Sequence, residues 1–409
     1  MARLIACTLG LMALSSLACG GAAPPPARTT AATLPSAAAP SRDGDLAVLR
    51  EREATTSLKD YRVRAADGVI ELHVKAVAPP VVKTRRVRDE VLTTVEFSMG
   101  GDVDVSCHAS KTPIDFGHWV AAIIGAVHAR LRGAPTLEVE AHEGHPLLLV
   151  ETDAILAHEG RDKAHFAKFA GTHLEQGSVA CVHDGLGFHR TFREVAAHIA
   201  ARSVSPGAEP PSFREISIAR DGDRVMGFEE TRAWLGDKPG ASRQQTLSSA
   251  ILTHDDKWAP ADAAWVGVVD TLGVVRERSM RRVGASTVVD MTLERKRAGF
   301  YTYEGTVKGA PVKGTFKSRE AVVTRLSRGP ALAAFMRNER KALSFSYFDE
   351  SEPAHAIKET VRREGAAQVR FEEPARQVHC VVDAQGLCTR TWREGAAWST
   401  ERIFSAGRL

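Results

Sequence analysis

The chain has 409 residues, a formal net charge of +4, 25% charged and 44% hydrophobic side chains, and only 6% aromatics. That is the balance of a soluble globular protein; it lacks the basic excess that points to nucleic acid, and at ~100 to 200 residues per domain it is too long for one core. Beyond the N-terminal segment no apolar run reaches the ~18 residues of a membrane-spanning helix.

Arg3 supplies a single positive charge ahead of Leu4 to Leu17, a segment apolar or small except at Thr8, Ser15 and Ser16. Its length suits a signal peptide and falls short of a bilayer span. It ends in Leu14-Ser15-Ser16-Leu17-Ala18-Cys19-Gly20-Gly21. Ala18 before Cys19 resembles the lipobox of bacterial lipoproteins, which implies that residues 1–18 are removed and that the Cys19 thiol receives a diacylglycerol. Ser16 departs from the pattern, where an aliphatic residue is usual. Leu4-Ile5-Ala6-Cys7 fits locally but has no apolar segment ahead of it. The other reading is an ordinary secretory signal cut after an alanine. Gly20 in place of Asp implies sorting to the outer membrane, facing the periplasm or the surface.

Residues 19–45 then read as the lipidated cysteine and a tether. Pro24 to Pro26, Pro35, Pro40 and many Ala, Ser and Thr leave too little apolar surface to offset the entropy of ordering. Fully extended, ~22 residues at ~3.3 Å each reach ~70 Å. Four further cysteines remain, Cys107, Cys181, Cys380 and Cys388. In an exported protein an even number predicts disulfides, and four thiols allow three connectivities. The natural choice keeps each bridge within one domain, Cys107 with Cys181 and Cys380 with Cys388 across the turn Asp383-Ala384-Gln385-Gly386.

The first domain, residues 46–204, opens with strands around an Asp67-Gly68 turn, where Tyr61, Val63, Ile70, Leu72 and Val74 alternate with polar residues. Val91 to Phe97 and Val103 to Ala109 are further strands. Asp115 is placed to N-cap a helix reaching about Leu131, because Phe116, Val120, Ile123, Ile124, Val127 and Leu131 recur on one stripe. Strands follow at Leu137 to Ala141, Pro146 to Thr152, Ala164 to Leu174 and Ser178 to His183. A closing helix from about Gly187 carries Phe188, Phe192, Val195 and Ile199 on its inner face. This order, with the run Cys181-Val182-His183 through Phe188 to Ser203, resembles the PsbP-like α/β/α sandwich, which implies two helices covering a sheet and a binding or assembly role.

Twelve of the fifteen histidines lie between His73 and His198. A zinc or copper site is the sharp reading, with His142, Glu143, His145 and His158 as ligands. Two residues, not three, separate His142 from His145, so this is no helical His-Glu-x-x-His motif, and Gly144 and Pro146 place it on a turn. His118 and His128 point to opposite sides of their predicted helix. Ordinary surface and turn histidines are the alternative.

Residues 205–212, rich in Pro and Gly, form a linker. Beyond it, residues 213–409 are a procession of strands with turn signals about every ten residues, broken only at Arg319 to Leu343, where helical spacing predicts one or two short helices that plug or cover the sheet. Gly227, Asp270-x-x-Gly273, Ser318 and Asp383-x-x-Gly386 resemble LolA-like periplasmic proteins, whose curved sheet and helical lid enclose an acyl-chain cavity. That resemblance offers Trp234, Trp265, Met291, Phe300, Phe316, Phe335 and Met336 as pocket residues; the other reading is that they fill the core. Basic clusters such as Lys83 to Arg88 and Glu294 to Arg297 read as solvated strand faces, with anionic lipid or glycan as the alternative.

The expected fold is thus α+β: an α/β/α sandwich with two helices, followed by a β-rich partial barrel or curved sheet with short covering helices. No nucleophile elbow, phosphate loop or dinucleotide fingerprint occurs. Adjacent acidic pairs such as Glu229-Glu230, Asp255-Asp256 and Glu372-Glu373 point to opposite strand faces and read as solvated. The leading expectation is a non-catalytic, cofactor-free envelope lipoprotein, membrane-bound through its lipid, that binds a hydrophobic ligand or scaffolds an envelope protein. A metal-binding envelope protein and an enzyme with an unrecognised site are the alternatives. Replacing Cys19 with Ser is expected to move the protein from the membrane to the soluble fraction on cell fractionation; retention in the membrane overturns the lipid anchor.

Overall fold

Period-two alternation runs through most of the chain, and the structure follows it: 61% of the residues are in strands and 12% are helical. The computed structural model describes residues 51–87, 90–100, 103–126, 129–131, 134–158, 161–238, 240–254, 257–338, 340–354, 356–373 and 376–408. Cys19, its lipobox and the tether lie outside them. The protein is mostly β, which corrects the α+β expectation; a sheet of seven strands in line precedes a closed 12-stranded barrel.

In the N-terminal part, β1 (Lys59–Ala65) and β2 (Ile70–Ala76) form a hairpin whose turn is held by Asp67 and Gly68, both at positive φ. The sheet proper comprises β3 (Val81–Val87), β4 (Glu90–Gly100), β5 (Val103–Ser110), β6 (Ala129–Leu131), β7 (Thr136–His142), β8 (His145–His158), β9 (Arg161–His173) and β10 (Ser178–Asp184). Its order is β3-β4-β5-β10-β9-β8-β6, with β7 paired to β8, and every pairing is antiparallel. Cys107 and Cys181 face each other across β5 and β10 and are bonded at 2.08 Å.

One face of this sheet packs on the β1–β2 hairpin and on α2 (His189–Arg202), burying Ile70, Leu72, Leu147, Phe192 and Ile199. The other face packs on α1 (Phe116–Ala126), which is five residues shorter than the apolar stripe suggests. Ala129 to Leu131 instead pair with β8, whose edge offers the backbone partners a frayed last helical turn would lack. Phe116, Trp119, Val120 and Ile124 meet Leu148, Val150 and Phe169 on the sheet side and Ile218, Phe228 and Ile251 on the other. The second group belongs to the barrel. The layer outside α1 is therefore barrel wall rather than solvent, and the α/β/α sandwich is replaced by a sheet buried between helix-plus-hairpin and helix-plus-barrel. Two glycines permit the close approach: a Cβ on Gly171 would come within 2.6 Å of the Phe116 ring, and one on Gly117 within 2.7 Å of the Ala250 carbonyl.

The barrel closes on itself. Its strands are β11 (Phe213–Asp221), β12 (Arg224–Leu235), β13 (Ser242–His254), β14 (Lys257–Asp270), β15 (Gly273–Val283), β19 (Val322–Val323), β20 (Ala342–Tyr347), β21 (Ile357–Arg363), β22 (Gln368–Glu373), β23 (Arg376–Val382), β24 (Cys388–Arg393) and β25 (Trp398–Gly407). They pair in that order around the ring, and the last strand pairs with the first, Phe213 opposite Gly407. The expectation of a partial barrel is corrected at these two seams, β25 against β11 and the two-residue β19 bridging β15 to β20 in parallel. Between β15 and β19 the chain adds β16 (Ser286–Arg297), β17 (Phe300–Val307) and β18 (Ala310–Lys317) as a flap continuing from β15. The Cys380–Cys388 bridge, bonded at 2.10 Å, pins β23 to β24.

The lumen is filled, not open. Helix α3 (Arg328–Met336) lies within it, with Leu332 and Phe335 against Phe345, Val361, Val369 and Phe371 and with Ala333 against Phe213 and Ala233 of other strands. Glutamate side chains on the inner wall grip the same segment: Glu277 accepts from the Thr324 hydroxyl, Glu229 pairs with Arg325, and Glu359 with Arg328. The outward face of β21 to β23 carries ion pairs instead, Arg362 to Glu372 at 2.7 Å and Arg370 and His379 to Glu364 at 3.1 Å each. A charged lattice of this kind is a water-facing surface. No described helix is long and apolar enough to cross a membrane.

The two halves are joined by more than apolar packing. Asp115 stands at the N-cap position, its carbonyl accepting from the Trp119 amide at 2.8 Å, but its side chain pairs with Arg282 of β15 at 3.1 Å, while Asp262 of β14 accepts from the Gly117 and His118 amides at 3.1 and 2.8 Å. The barrel thus caps the helix of the neighbouring sheet. Beside it, Glu230 of β12 is 1% exposed and accepts from Arg232 Nε at 2.6 Å and His173 Nδ1 at 3.2 Å. Arg232 also donates to the Leu174 carbonyl, and Arg214 reaches Glu175 at 3.3 Å. Glu229 and Glu230 do point to opposite faces, but neither is a solvated strand end.

Burial opposes ionisation of Glu230, yet Arg232 and His173 hold its carboxyl down at about 2. Its folded value lies below the unfolded 4.5, so its contribution is present above pH 4.5 and is lost as pH falls toward 2. Glu230→Gln strands buried cations and is expected to cost ~3–5 kcal/mol in urea unfolding; a loss under ~1 kcal/mol shows that apolar packing alone holds the interface. Glu277 behaves in the reverse sense. Burial raises it to about 8, against the Thr324 hydrogen bond, so its contribution is full below pH 4.5 and is lost as pH rises through 8. Glu277→Gln should flatten the fall in stability across that window, measured by the denaturation midpoint at each pH.

Candidate metal centre

The strand β1 places Asp60 two positions from the residue directly opposite His73 on β2, so the two are diagonal neighbours on one face of the hairpin. The free edge of β2 is covered by the residues that follow α2: Glu71 and Val204 exchange backbone hydrogen bonds at 2.9 and 3.0 Å, and the His73 amide donates to Ser203 Oγ at 3.1 Å. This clamp draws the C-terminal half of α2 over the hairpin and brings in His198. Asp60, His73 and His198 each offer one ligand atom, all within 4.8 Å of one another.

Asp60 sits between the two imidazoles. Its Oδ2 is 3.3 Å from His73 Nδ1 and its Oδ1 is 3.0 Å from His198 Nε2. Around a zinc ion with bonds of ~2.0–2.1 Å at tetrahedral angles, ligand atoms lie ~3.3 Å apart; here each imidazole meets a different oxygen of Asp60, and the three ligand atoms lie within 4.8 Å of one another. The histidine side chains are largely covered, at 11% and 14% exposure, while Asp60 is 46% exposed and opens the group to solvent. Burial works to raise the Asp60 carboxyl, but the hydrogen bonds and charges of His198 and His73 hold it below the ordinary range.

His73 has a carboxylate at each ring nitrogen, because Nε2 lies 3.2 Å from Glu71 Oε1. Such a ring is satisfied in two ways. It donates from both nitrogens as an imidazolium, or it donates only to Glu71 and turns the Nδ1 lone pair toward a cation shared with Asp60 and His198. The second arrangement is the carboxylate–histidine–metal relay that fixes a ligand's tautomer. Other buried histidines also span two acceptors, but what sets His73 apart is a second imidazole on the same aspartate.

The ligands expected from sequence fall elsewhere. His142 Nε2 pairs with Glu140 at 2.6 Å, and His145 is spent on the Ala200 carbonyl at 2.9 Å and Glu175 at 2.8 Å. Glu143 and Gly144 form the β7–β8 turn with φ of 50° and 84°, and the His158 side chain lies outside the described residues. The seven apolar residues offered as a pocket do not converge. Trp265 packs with Val269 and Leu326, Met291 and Phe316 share the flap core with Tyr301, and Phe335 and Met336 belong to the α3 core. Trp234 donates Nε1 to the Glu209 carbonyl under Arg243, and Phe300 lies beneath Arg297. Five of the seven are thus divided among three separate cores, and Trp234 and Phe300 lie outside them under arginine side chains.

Asp60 and His73 were within reach of sequence reasoning, since the Asp67-Gly68 turn sets the register that puts them on one face. His198 was not, because only the Glu71–Val204 clamp brings it there. The chain matches no protein-family model, no curated protein and no solved structure.

Proposed function

We propose that this is a lipid-tethered envelope protein, anchored in the outer membrane through Cys19, whose folded body binds a divalent transition metal at Asp60, His73 and His198. The observation that carries the reading is one carboxylate bridging two imidazoles, with the three ligand atoms within 4.8 Å of one another and Glu71 behind His73. Two nitrogens and one oxygen suit zinc, with copper the natural competitor for imidazole. Three protein ligands leave one tetrahedral position for water or an exchanging ligand, the arrangement of a site that takes up and hands on an ion rather than a sealed structural one. The tether, two disulfides and a barrel with a charged outer wall support an extracytoplasmic setting. The hydrophobic-ligand reading loses support because its seven residues are dispersed, five of them among three separate cores.

Titration of the purified full chain with Zn(II) alone by calorimetry, with native mass spectrometry for stoichiometry, tests the reading. One ion per chain is expected for the wild type and none for His73→Ala/His198→Ala at unchanged circular dichroism. Glu71→Gln should weaken binding ~10- to 100-fold. Equal affinity in the double variant, or no zinc bound by the wild type at micromolar concentration, overturns it.

A further inference from the structure

At the opposite end of α2 lies a cleft of about 390 Å³, floored by Lys168 and walled by Glu151, His189, Arg190 and Phe192. Lys168 is in the middle of β9, on the face that α2 covers, and is 2% exposed. Its Nζ donates to the Gly185 carbonyl at 2.8 Å, in the loop that leads into α2. Directly across the strand pair is Glu151 of β8, which accepts from His189 Nδ1 at 2.8 Å. A buried amine, a carboxylate and an imidazole thus border one cavity.

We infer that Lys168 is a nucleophilic amine that captures small aldehydes bearing an anionic group, as an imine, in this cleft. An amine under the first turn of a helix feels the positive end of the helix dipole, which disfavours the ammonium form. Burial acts the same way and brings Lys168 to about 8, against the pull of Glu151, Glu53 and Asp184. The surrounding charges come from every packed element. Glu53, from the segment ahead of β1, caps α2 through the Arg190 and Thr191 amides at 2.9 and 2.8 Å. Arg193 is held by Glu138 and Glu140, whereas among the described residues the Arg190 guanidinium pairs with Glu194 alone, at 3.9 Å, and stands at the rim for an anionic group.

The chemistry balances without a further reagent. The Nζ lone pair attacks the carbonyl carbon, and the carbonyl oxygen takes up a proton to give a carbinolamine. The oxygen then leaves as water carrying both former amine hydrogens, and a C=N bond remains. His189, poised on Glu151, is the proton carrier for the loss of water.

The test is reductive trapping of the full chain with glyoxylate and cyanoborohydride, read by peptide mass spectrometry across pH 6 to 10. Lys168 is expected to be modified at least about tenfold ahead of every other lysine at pH 7.5, with half-maximal rate near pH 8 against ~10.4 for ordinary lysines. Lys168→Arg keeps a donor for Gly185 and, at an unchanged melting curve, should lose the fast label. His189→Asn should slow it ~10-fold or more, with the same pH midpoint. Acetaldehyde, lacking the anion, should trap more slowly, and Arg190→Ala should remove that difference. Labelling of Lys168 no faster than of exposed lysines overturns the proposal and makes the residue a strut for the Gly185 loop.

Discussion

Glu230 is the constraint around which the two halves are arranged. A carboxylate with almost no solvent exposure is costly unless charge and hydrogen bonds surround it, and here they come from both sides of the interface. Arg232 reaches it along its own strand, and His173 reaches it from the sheet of the other half. Arg232 in turn ties to the Leu174 and Glu175 carbonyls, so separating the halves would take His173 from Glu230 and both carbonyls from Arg232. Apolar packing of α1 against the barrel supplies area but tolerates sliding, whereas this cluster and the Asp262 cap fix register. The 205–212 segment is therefore a connection across a fixed joint. Its Ser205 hydroxyl bonds the Gln176 amide and carbonyl, which removes its freedom as a hinge.

Closure of the barrel solves the edge problem that an open sheet of this length would carry. Twelve strands enclose more space than wall side chains alone fill, and α3 occupies it. The inner wall places Glu229, Glu277 and Glu359 where residues 324–328 can meet them, so the plug is held by polar pairs at one end and by Leu332 and Phe335 at the other. A lumen filled this way is a core and not a ligand cavity, which explains why aromatic residues spaced along these strands do not form a pocket.

Local elements were legible because alternation, turn glycines and the apolar stripe of α2 are local signals. The β1–β2 hairpin, the β8 to β10 strands, α2 and the helical break before Leu343 all follow from them, while the pairing of Cys107 with Cys181 and of Cys380 with Cys388 came from choosing, among three possible connectivities, the one that keeps each bridge within one half of the chain. What stayed hidden depends on partners distant in sequence. Strand β13 carries Gln244, Thr246 and Ser249 at buried positions, so it does not read as apolar alternation. The pairing of β11 with β25 joins residues nearly 190 apart, and nothing in either strand declares it. Asp115 has the right identity and place for an N-cap, but Asp262 of the barrel takes the role. For the site, the Asp67-Gly68 turn sets the register that brings Asp60 beside His73, but the local His142-Glu143-Gly144-His145 cluster drew attention instead to residues already used by Glu140, Glu175 and Ala200.

Helix α2 links the two chemical features on the face away from the barrel. His198 lies toward its C-terminal end and His189 begins it, nine positions and ~14 Å apart along the axis. The helix dipole places partial negative charge beside the site proposed to hold a cation and partial positive charge over the lysine proposed to be neutral. The first described segment after the tether runs between the same two points, Glu53 capping the helix start and Asp60 meeting His198. Displacing that segment would uncap α2 over Lys168 and withdraw the aspartate from the two imidazoles together. Both sites thus rest on the segment that leads into β1 and on the two ends of one helix.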